Sequence, residues 1–493
     1  MSIAIPQDRV DAQAILDATP TGLLIGGQWV TASDGKTFTV YDPSTEQSLI
    51  EVADASPGDG RRALEAAVAA QKAFAATTPQ SRADILRGVA ENLRERMETI
   101  ARVLSMEAGK PLVESRAEIN SGLDFIEHFA EEAVRTEGNY QVNPVSGGRM
   151  IVMKQPIGPS ILITPWNFPF SQAARKLAPA IAAGCTIVVK PAAETPLVLL
   201  AFAQAFIDAG VPAGVLNVIT TSTSNAVIEP LLRSGLARKL SFTGSTPVGV
   251  KLLEQSAEQV LSTSMELGGN APFIVFGDAD LQIAIDSLIT NKMWNTGQTC
   301  TSANRIYVHS TVIDRFQQLL VERLSNYVQG RWTEEGVNLG PLINAKQINA
   351  VSAIVDDAVA KGASLIVGGE RLDRPGHFYR PTVLRDVPHD ALLNTEEIFG
   401  PVAALIPFDD EDDVVACAND TEYGLVAYIF TENLRRAIRV SEALETGNVG
   451  LNRGTVAYAA APFGGVKKSG LGREGASDGL EEFLETKFVA LQL

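Results

Sequence analysis

The sequence predicts an α/β protein with parallel sheets, and two observations support this class. Short β-branched runs alternate with helical periods over residues 158–276, and a second alternation covers residues 272–327. Strands that alternate with helices form βαβ units, whose strands lie parallel. The chain of 493 residues is long enough for two or three domains with substantial cores.

The first alternation predicts four strands and three helices. The strands cover residues 160–164, 186–189, 215–219 and 239–242, and the helices cover residues 171–183, 197–209 and 225–234. The second predicts strands at 272–275 and 305–308 and helices at 281–294 and 312–327. Upstream, residues 60–76 and 81–106 have the apolar spacing of two amphipathic helices.

Two segments are predicted to form an arm rather than part of a core. Residues 136–157 hold Gly, Asn, Pro and Ser, and within them the run 149–154 alternates as a strand does. Residues 483–493 at the C-terminal end are also strand-like.

Composition argues against several classes of function. Apolar residues make up 45% of the chain and charged residues 20%, as in soluble globular proteins. A net charge of −17 without a Lys/Arg cluster repels phosphate backbones, so we expect no nucleic-acid partner. No stretch has the roughly 20 apolar residues that span a bilayer. Residues 1–21 lack the basic start and apolar core of a signal peptide, and three cysteines indicate a reducing compartment, so we expect a cytoplasmic protein.

One of the three cysteines has a context that suggests chemistry. Cys185 and Cys417 lie in apolar runs and are predicted to be buried structural residues. Cys300 ends the polar run Asn-Thr-Gly-Gln-Thr-Cys, which contains a glycine. The four histidines are scattered without the spacing of metal ligands, so no metal site is expected.

Cys300 is accompanied upstream by an acid, Glu266, and an amide, Asn167. A thiol can attack an aldehyde to give a thiohemiacetal, which becomes a thioester when it loses hydride to a nicotinamide. A carboxylate can then activate the water that hydrolyses the thioester. A side-chain amide can stabilise the oxyanion that forms at each addition. We therefore predict that Cys300, Glu266 and Asn167 are catalytic.

The motifs around these residues resemble those of the NAD(P)-dependent aldehyde dehydrogenase superfamily over nearly the whole chain. The spacing from Glu266 to Cys300 and the order of the motifs also match. The matching segments are Thr164–Pro169, Lys190-Pro191, Phe242–Gly249, Glu266–Asn270, Gly297–Cys300, Glu397–Pro401 and Pro462–Gly465.

The resemblance implies the aldehyde dehydrogenase fold, which has three parts. A Rossmann-like cofactor-binding domain is expected over residues 20–137 and 158–265, and an α/β catalytic domain over residues 266–467. A small β oligomerisation arm is expected over residues 138–157 and 478–493. The family's arm implies a homodimer or homotetramer.

Two glycine-rich runs compete for the cofactor. Gly470-Leu-Gly-Arg-Glu-Gly475 has the dinucleotide spacing but follows no strand of a βαβ unit, so we interpret it as a flexible turn near the active-site mouth. The turn that contains Gly244 and Ser245 lies between a predicted strand and a helix that starts near Pro247, a setting that suits a pyrophosphate. The residue types alone do not separate this role from an ordinary turn, but the resemblance assigns the pyrophosphate contact to Gly244 and Ser245.

The resemblance also assigns the other cofactor contacts. Lys190 would bind the adenosine ribose, with Trp166 near the cofactor, and Glu397 would bind the nicotinamide ribose, with Phe399 against the nicotinamide. NAD-preferring members place a glutamate where this chain has Ala193. Without that negative charge, the 2′-phosphate of NADP meets less repulsion. We expect NADP as the cofactor, with NAD possible through the neighbouring Glu194.

Within the superfamily, the chain is most similar to succinate-semialdehyde dehydrogenases. Arg175 matches an arginine that binds the substrate carboxylate there, a bidentate contact that suits a guanidinium. An outward-facing arginine on the helix is the alternative. The second such arginine is replaced by Trp294, and Tyr458 stands in the stretch of a missing serine. Arg453 is a candidate replacement cation.

Three alternatives remain beside a semialdehyde acid. Trp294 and Tyr458 could form an aromatic box for a neutral or aromatic aldehyde. A CoA-acylating enzyme is disfavoured, because such enzymes do not need the base Glu266. A non-catalytic binding relative is disfavoured, because Cys300, Glu266 and Asn167 are all present.

Overall fold

The fold is given by a computed structural model, which describes residues 7–492. Residues 1–6, at the start of the segment inspected for a signal peptide, and the predicted arm residue Leu493 lie outside the described residues. Two large sheets contain most strands. The first has eight strands, in the order Gln28–Val30, Leu23–Ile25, Leu216–Val218, Ile187–Lys190, Ser160–Ile163, Lys239–Thr243, Ser262–Glu266 and Gly470–Leu471.

The five central strands of this first sheet are parallel. Four of them were predicted from the alternation, and the fifth, Ser262–Glu266, was not. The two strands before residue 31 and the strand Gly470–Leu471 are antiparallel additions at its edges. The helices between and before its strands are Pro57–Ala75, Pro79–Glu95, Met97–Ala108, Leu112–Glu132, Pro169–Ala183, Leu197–Asp208, Ser224–Leu232 and Thr246–Ala257.

The predicted helix over residues 81–106 is two helices in the structure. The first ends at Glu95 and the second begins at Met97. Between them, Arg96 leaves the helical region, with φ −107° and ψ 8°, and its N–H donates to Leu93 O. No Gly or Pro marks this break in the sequence, so apolar spacing alone could not reveal it.

The second sheet has seven strands, and all neighbours except the first pair are parallel. Its order is Ser364–Val367, Thr382–Arg385, Val402–Phe408, Ala303–His309, Ala271–Val275, Val426–Phe430 and Asn448–Leu451. Its helices are Leu281–Met293, Ile313–Leu324, Ala345–Ala360, Glu411–Asn419 and Leu434–Ala443.

The predicted arm is a separate three-stranded antiparallel sheet. Leu484–Leu491 pairs along its whole length with Arg149–Pro156, which pairs on its other side with Asn139–Val142. The remaining elements are the hairpin Thr37–Asp42 and Gln47–Ala53, the pair Tyr423–Gly424 and Val466–Lys467, the helices Gln7–Ala18 and Ala476–Glu481, and three short 3₁₀ turns at Ala133–Arg135, Trp294–Gly297 and Leu392–Asn394.

The division of the chain into a cofactor-binding domain, a catalytic domain and an arm stays a prediction. The second sheet lies within residues 266–467, and the chain then returns to the first sheet through Gly470–Leu471. Among the helices of residues 7–492, none is both long enough and apolar enough to cross a membrane.

The cysteine predictions were half right. Cys185 is fully buried beside the first sheet. Cys417 is exposed, on the helix Glu411–Asn419. Its backbone carbonyl accepts a hydrogen bond from Arg305 Nη1 at 2.8 Å.

Candidate active site

Cys300 lies in a short segment between a helix and a strand of the second sheet. The helix ends at Met293, one residue earlier than predicted, and a 3₁₀ turn follows in which Asn295 and Thr296 have left-handed φ values of 49° and 57°. A Cβ on Gly297 would lie 2.2 Å from Gly400 O, so only glycine fits there. This close contact joins the segment before Cys300 to the loop after Glu397.

Three loops bring the predicted catalytic residues to one cavity. Glu266 ends the strand Ser262–Glu266. Asn167 follows Ser160–Ile163 by a few residues, and the strand Lys239–Thr243 lies between these two strands. Parallel strands expose their carboxyl ends at one edge, where ligands bind. Asn167, Glu266 and Cys300 all line a cavity of about 350 Å³ there.

Glu266 is buried, and its Oε2 has no hydrogen-bond partner in the described part of the chain. Burial, together with the negative charge of Glu474, raises the pKa of Glu266 well above its usual value, against the attraction of Lys176 and Arg175. Lys176 Nζ donates to Glu474 Oε1 at 2.6 Å. A carboxyl group with a raised pKa and an unused oxygen can take a proton at neutral or alkaline pH. Glu474 was not identified from the sequence, because it is far from Glu266 along the chain.

The thiol of Cys300 is half-buried, and it is protonated at neutral pH. Burial, together with the carboxylate of Glu397, raises the pKa of Cys300 to about 12. Attack by Cys300 therefore requires that its proton be removed.

Asn167 is held in place by hydrogen bonds to its backbone carbonyl. Its carbonyl accepts from Lys110 Nζ at 2.8 Å and from Asn295 Nδ2 at 2.9 Å. Its side-chain amide donates once, to Gln298 O at 3.0 Å. The amide has a second hydrogen that this bond does not use, as an oxyanion donor requires.

A second cavity, of about 530 Å³, continues from the first along the sheet edge. Trp166, Lys190, Ala193, Gly244 and Ser245 all line it, as the sequence predicts for a cofactor cleft. The helix Thr246–Ala257 begins directly after Ser245 without a side-chain cap. Its first amide groups therefore lack a capping side chain and can bind a phosphate group.

Lys190 is buried in the wall of this cavity, and its Nζ donates to Ser224 Oγ at 2.8 Å. Burial lowers the pKa of Lys190 to about 8, and Glu194 partly opposes this shift. Ala193 and Glu194 both face the cavity. The glutamate next to the replaced position is therefore close to where a ribose would bind.

Glu397 and Phe399 lie at the other end, in the wall of the cavity that holds Cys300. Burial raises the pKa of Glu397 to about 8, and Gly269 N, which donates to Glu397 Oε1 at 3.4 Å, opposes the shift. The ring of Phe399 packs edge-on against Trp166, with centroids 5.3 Å apart. The seven predicted cofactor residues thus line one continuous cleft.

A third cavity, of about 290 Å³, reaches Cys300 from the opposite side, and both Arg175 and Trp294 line it. Arg175 is buried, so the outward-facing alternative is wrong. Its guanidinium lies 4.5 Å from the ring centre of Phe125 and 3.9 Å from Glu474 Oε2. Its Nε has no hydrogen-bond partner in the described residues.

Arg453 and Tyr458 do not line this cavity, in contrast to the prediction. Both are exposed. The guanidinium of Arg453 stacks on Tyr458, 4.8 Å from the centre of its ring. The predicted box of Trp294 and Tyr458 is therefore not formed. Gln172 lines both cavities that meet at Cys300 and was missed. Its i, i+3 spacing from Arg175 would have placed it on the same helix face.

The run Gly470–Gly475 does not follow a parallel strand of a βαβ unit. Its first two residues form a strand, where a turn was predicted. Gly470–Leu471 is an edge strand that pairs with Met265 and Glu266. Gly470 has φ 151°, and a Cβ there would lie 2.1 Å from Met265 O. The glycine permits close pairing beside Glu266.

The structure brings a thiol, a carboxyl group and a side-chain amide to one cavity, which continues into a cleft at the carboxyl ends of parallel strands. Residues 29–489 match the model of the aldehyde dehydrogenase family. The chain is 47% identical to the NADP-type succinate-semialdehyde dehydrogenase GabD of Escherichia coli, over 95% of this chain and 97% of the relative. It is 46% identical to 3-sulfolactaldehyde dehydrogenase of Pseudomonas putida, over 95% and 96%. A crystal structure of succinate-semialdehyde dehydrogenase from Burkholderia pseudomallei superposes with a TM-score of 0.95 at 44% identity, covering 100% of both chains.

The chain therefore belongs to the aldehyde dehydrogenase family. It is an NAD(P)-dependent enzyme that oxidises an aldehyde to a carboxylic acid through a catalytic cysteine.

Proposed function

We propose that the protein oxidises a semialdehyde acid, such as succinate semialdehyde, and prefers NADP to NAD. The observation that carries this proposal is the buried Arg175, which lines the same cavity as Cys300. The two relatives above are named for aldehydes that carry a carboxylate or a sulfonate. A buried guanidinium suits either anionic group.

In the proposed reaction, the Cys300 thiol passes its proton to solvent, Sγ bonds to the aldehyde carbon, and the carbonyl electron pair moves to oxygen. The Asn167 amide donates to that oxyanion. Bound NADP supplies the acceptor for the hydride that leaves this carbon, and the product on Cys300 is a thioester. Glu266 then takes a proton from water as the water attacks the thioester. The carbon–sulfur bond breaks, and the carboxylic acid leaves.

The cofactor is proposed to lie along the cleft described above. The uncapped helix start after Gly244 and Ser245 would bind the pyrophosphate. Lys190 would bind the adenosine ribose, and Glu397 would bind the nicotinamide ribose. Trp166 and Phe399 would pack against the cofactor between these ends.

Arg175→Leu tests the substrate class. Loss of a charge-assisted bidentate contact should weaken transition-state binding of succinate semialdehyde by on the order of 2–4 kcal/mol. This loss is measured as a fall in kcat/KM. A neutral aldehyde of similar length should be affected much less, because it makes no such contact. Initial rates of reduced-cofactor formation give both values.

Arg453→Leu is the matched control, since Arg453 is exposed and stacked outside the cavity. It should leave both substrates within about twofold of wild type, as ordinary surface substitutions do. Equal losses on acidic and neutral aldehydes in Arg175→Leu would contradict the proposed substrate. A neutral or aromatic aldehyde would then be favoured, because Trp294 lines the cavity.

Ala193→Glu tests the cofactor choice. In the unmodified protein, kcat/KM for NADP should at least equal that for NAD, because position 193 carries no carboxylate and Lys190 is close by. The new glutamate should shift preference toward NAD by repelling the 2′-phosphate and binding the ribose hydroxyls. The shift should shrink in added salt where repulsion dominates.

Glu194→Gln, assayed beside it, identifies the discriminating carboxylate. We expect little change in the NADP/NAD ratio of kcat/KM. Strong NAD preference in the unmodified protein, lost in Glu194→Gln, would contradict the proposal and assign the ribose contact to Glu194.

We also propose that the arm joins copies of the chain into a homodimer or homotetramer in the cytoplasm. The arm sheet exposes large apolar side chains, including Tyr140 at 61%, Val142 at 53% and Phe488 at 57%. Such side chains on a small exposed sheet favour association. The molar mass measured by light scattering checks this, and a monomer at micromolar concentration would contradict it.

A further inference from the structure

Four ionisable side chains lie buried in one short stretch beneath the site. They are Glu107, Lys110, Glu114 and Glu118, with exposures between 0% and 6%. A buried charge is costly unless it is paired and hydrogen-bonded. None of the four lines the cavity that holds Lys190 or the cavity that holds Glu266, and only Glu118 lines the cavity that holds Arg175.

Lys110 connects this stretch to the backbone of Asn167. Its Nζ donates to Glu118 Oε2 at 2.6 Å and to Asn167 O at 2.8 Å, and it lies 4.5 Å from the ring centre of Phe168. The preceding Gly109 has φ 75°, and a Cβ there would lie 2.5 Å from the Pro341 ring. The turn that presents Lys110 is therefore tightly confined.

The second carboxylate oxygen of Glu118 accepts hydrogen bonds from the helix that carries Gln172 and Arg175. Its Oε1 accepts from Phe170 N at 2.9 Å and from Ser171 N at 3.2 Å. These are first-turn amides of the helix Pro169–Ala183, which has no side-chain cap from its own N-cap residue. A carboxylate at a helix N-terminus stabilises it through these bonds and the helix dipole. Gln172 and Arg175 follow on that helix.

Asn167 is held from a second side by the segment before Cys300. Asn295 Nδ2 donates to Asn167 O, and Asn295 N donates to Glu114 Oε2 at 3.1 Å. Two donors thus fix the carbonyl of Asn167, one from the buried stretch and one from the nucleophile segment. With its peptide fixed, the Asn167 side chain has few directions left.

We propose that Lys110 and Glu118 are positioning residues, whose buried ion pair fixes the Asn167 peptide and the first turn of the substrate helix relative to Cys300. The proposal rests on the oxyanion role proposed for Asn167. The ion pair touches no reacting atom, and it acts through Asn167 and through the helix that carries Arg175. A displacement of about 1 Å at a reacting group can cost on the order of a hundredfold in rate.

The test is a double-mutant cycle of Lys110→Met with Asn167→Ala. Asn167→Ala keeps the backbone carbonyl that Lys110 binds but removes the amide that Lys110 positions. Lys110→Met should lower kcat/KM by on the order of tenfold to a hundredfold in the unmodified protein. In the Asn167→Ala background, the same substitution should cost several-fold less, and the remaining loss should come from the helix that carries Arg175. The Kd for NADP should stay within about twofold in all four proteins, since the cofactor cleft is unchanged.

Lys239→Met is the matched control for loss of a buried lysine. Lys239 is fully buried, and it pairs with Glu482 at 2.8 Å in the first sheet. The Lys239→Met substitution should lower Tm. Any loss of activity that it causes should be the same factor in the unmodified protein and in the Asn167→Ala background. Equal factors for Lys110→Met in the two backgrounds would overturn the positioning role.

Glu118→Gln provides a second cycle in case Lys110→Met does not fold. It keeps an oxygen for Phe170 N and removes only the negative charge, so we expect a smaller loss that again depends on Asn167. If Asn167→Ala alone leaves kcat/KM unchanged, the oxyanion role itself fails. If Asn167→Ala is damaging but neither cycle shows coupling, only the positioning inference fails.

Discussion

Cys300→Ala should abolish aldehyde oxidation while NADP binding stays close to that of the unmodified protein. Cys300 lines both the cavity that holds Glu266 and Asn167 and the cavity that holds Arg175. Without its thiol no covalent adduct can form, so there is no thioester to hydrolyse. The lining of the cavity that holds Lys190, where we propose the adenosine end of the cofactor, does not include Cys300, so cofactor affinity should persist.

The measurement is the rate of reduced-cofactor formation, beside a Kd for NADP from fluorescence. Cys417→Ala is the matched control, because Cys417 is exposed on a helix of the second sheet. It should retain the unmodified rate. A Cys300→Ala protein that keeps even a tenth of that rate would contradict the assignment of the nucleophile.

The order of strands and helices could be predicted because β-branched runs and helical apolar spacing are local properties. All seven elements predicted over residues 160–242 are present, with ends shifted by one or two residues. The break at Arg96 could not be predicted, since neither Gly nor Pro marks it. Backbone conformation there is set by packing of the two helices, which a local pattern does not contain.

The site was predictable as a set of motifs but not as a set of contacts. The resemblance named Arg175, and burial beside Phe125 and Cys300 shows that it faces the cavity. Tyr458 was placed in the cavity by its position along the chain. Its stacking with Arg453 depends on the fold of that loop, which motif spacing does not describe.

The buried charges were the least predictable feature. Glu474 influences Glu266 across a long separation in sequence, and Lys110 reaches Asn167 from a different helix pair. Each is an ordinary residue in its own sequence context. The effect of each residue depends on which other charges the fold brings near it. Its pKa shifts and ion pairs therefore cannot be predicted without the structure.

The fraction of Glu266 in the carboxylate form should rise with pH, and this fixes the sign of the pH dependence. Burial and Glu474 raise the pKa of Glu266, so its protonated form persists to higher pH than for a solvated glutamate. Only the carboxylate can take a proton from water. We therefore expect kcat to rise with pH through the raised pKa when thioester hydrolysis limits turnover.

Glu266→Gln should separate the two halves of the reaction. The amide keeps the shape of the side chain but cannot accept the proton, so hydride transfer should occur once and the thioester should persist. Stopped-flow absorbance should show a rapid burst of about one reduced cofactor per Cys300, followed by a steady rate lower by on the order of a hundredfold or more. The acid limb of the kcat profile that belongs to Glu266 should also disappear.

Glu114→Gln is the control for loss of a buried carboxylate that lies outside this cavity. Burial raises the pKa of Glu114 to about 8, as it raises that of Glu266, but Glu114 is bonded to Asn295 N. In this variant, the steady rate should fall by no larger a factor than the burst amplitude. Absence of both burst and turnover in Glu266→Gln would instead place Glu266 before the thioester, as the acceptor of the Cys300 proton. Its raised pKa would then limit nucleophile formation rather than hydrolysis.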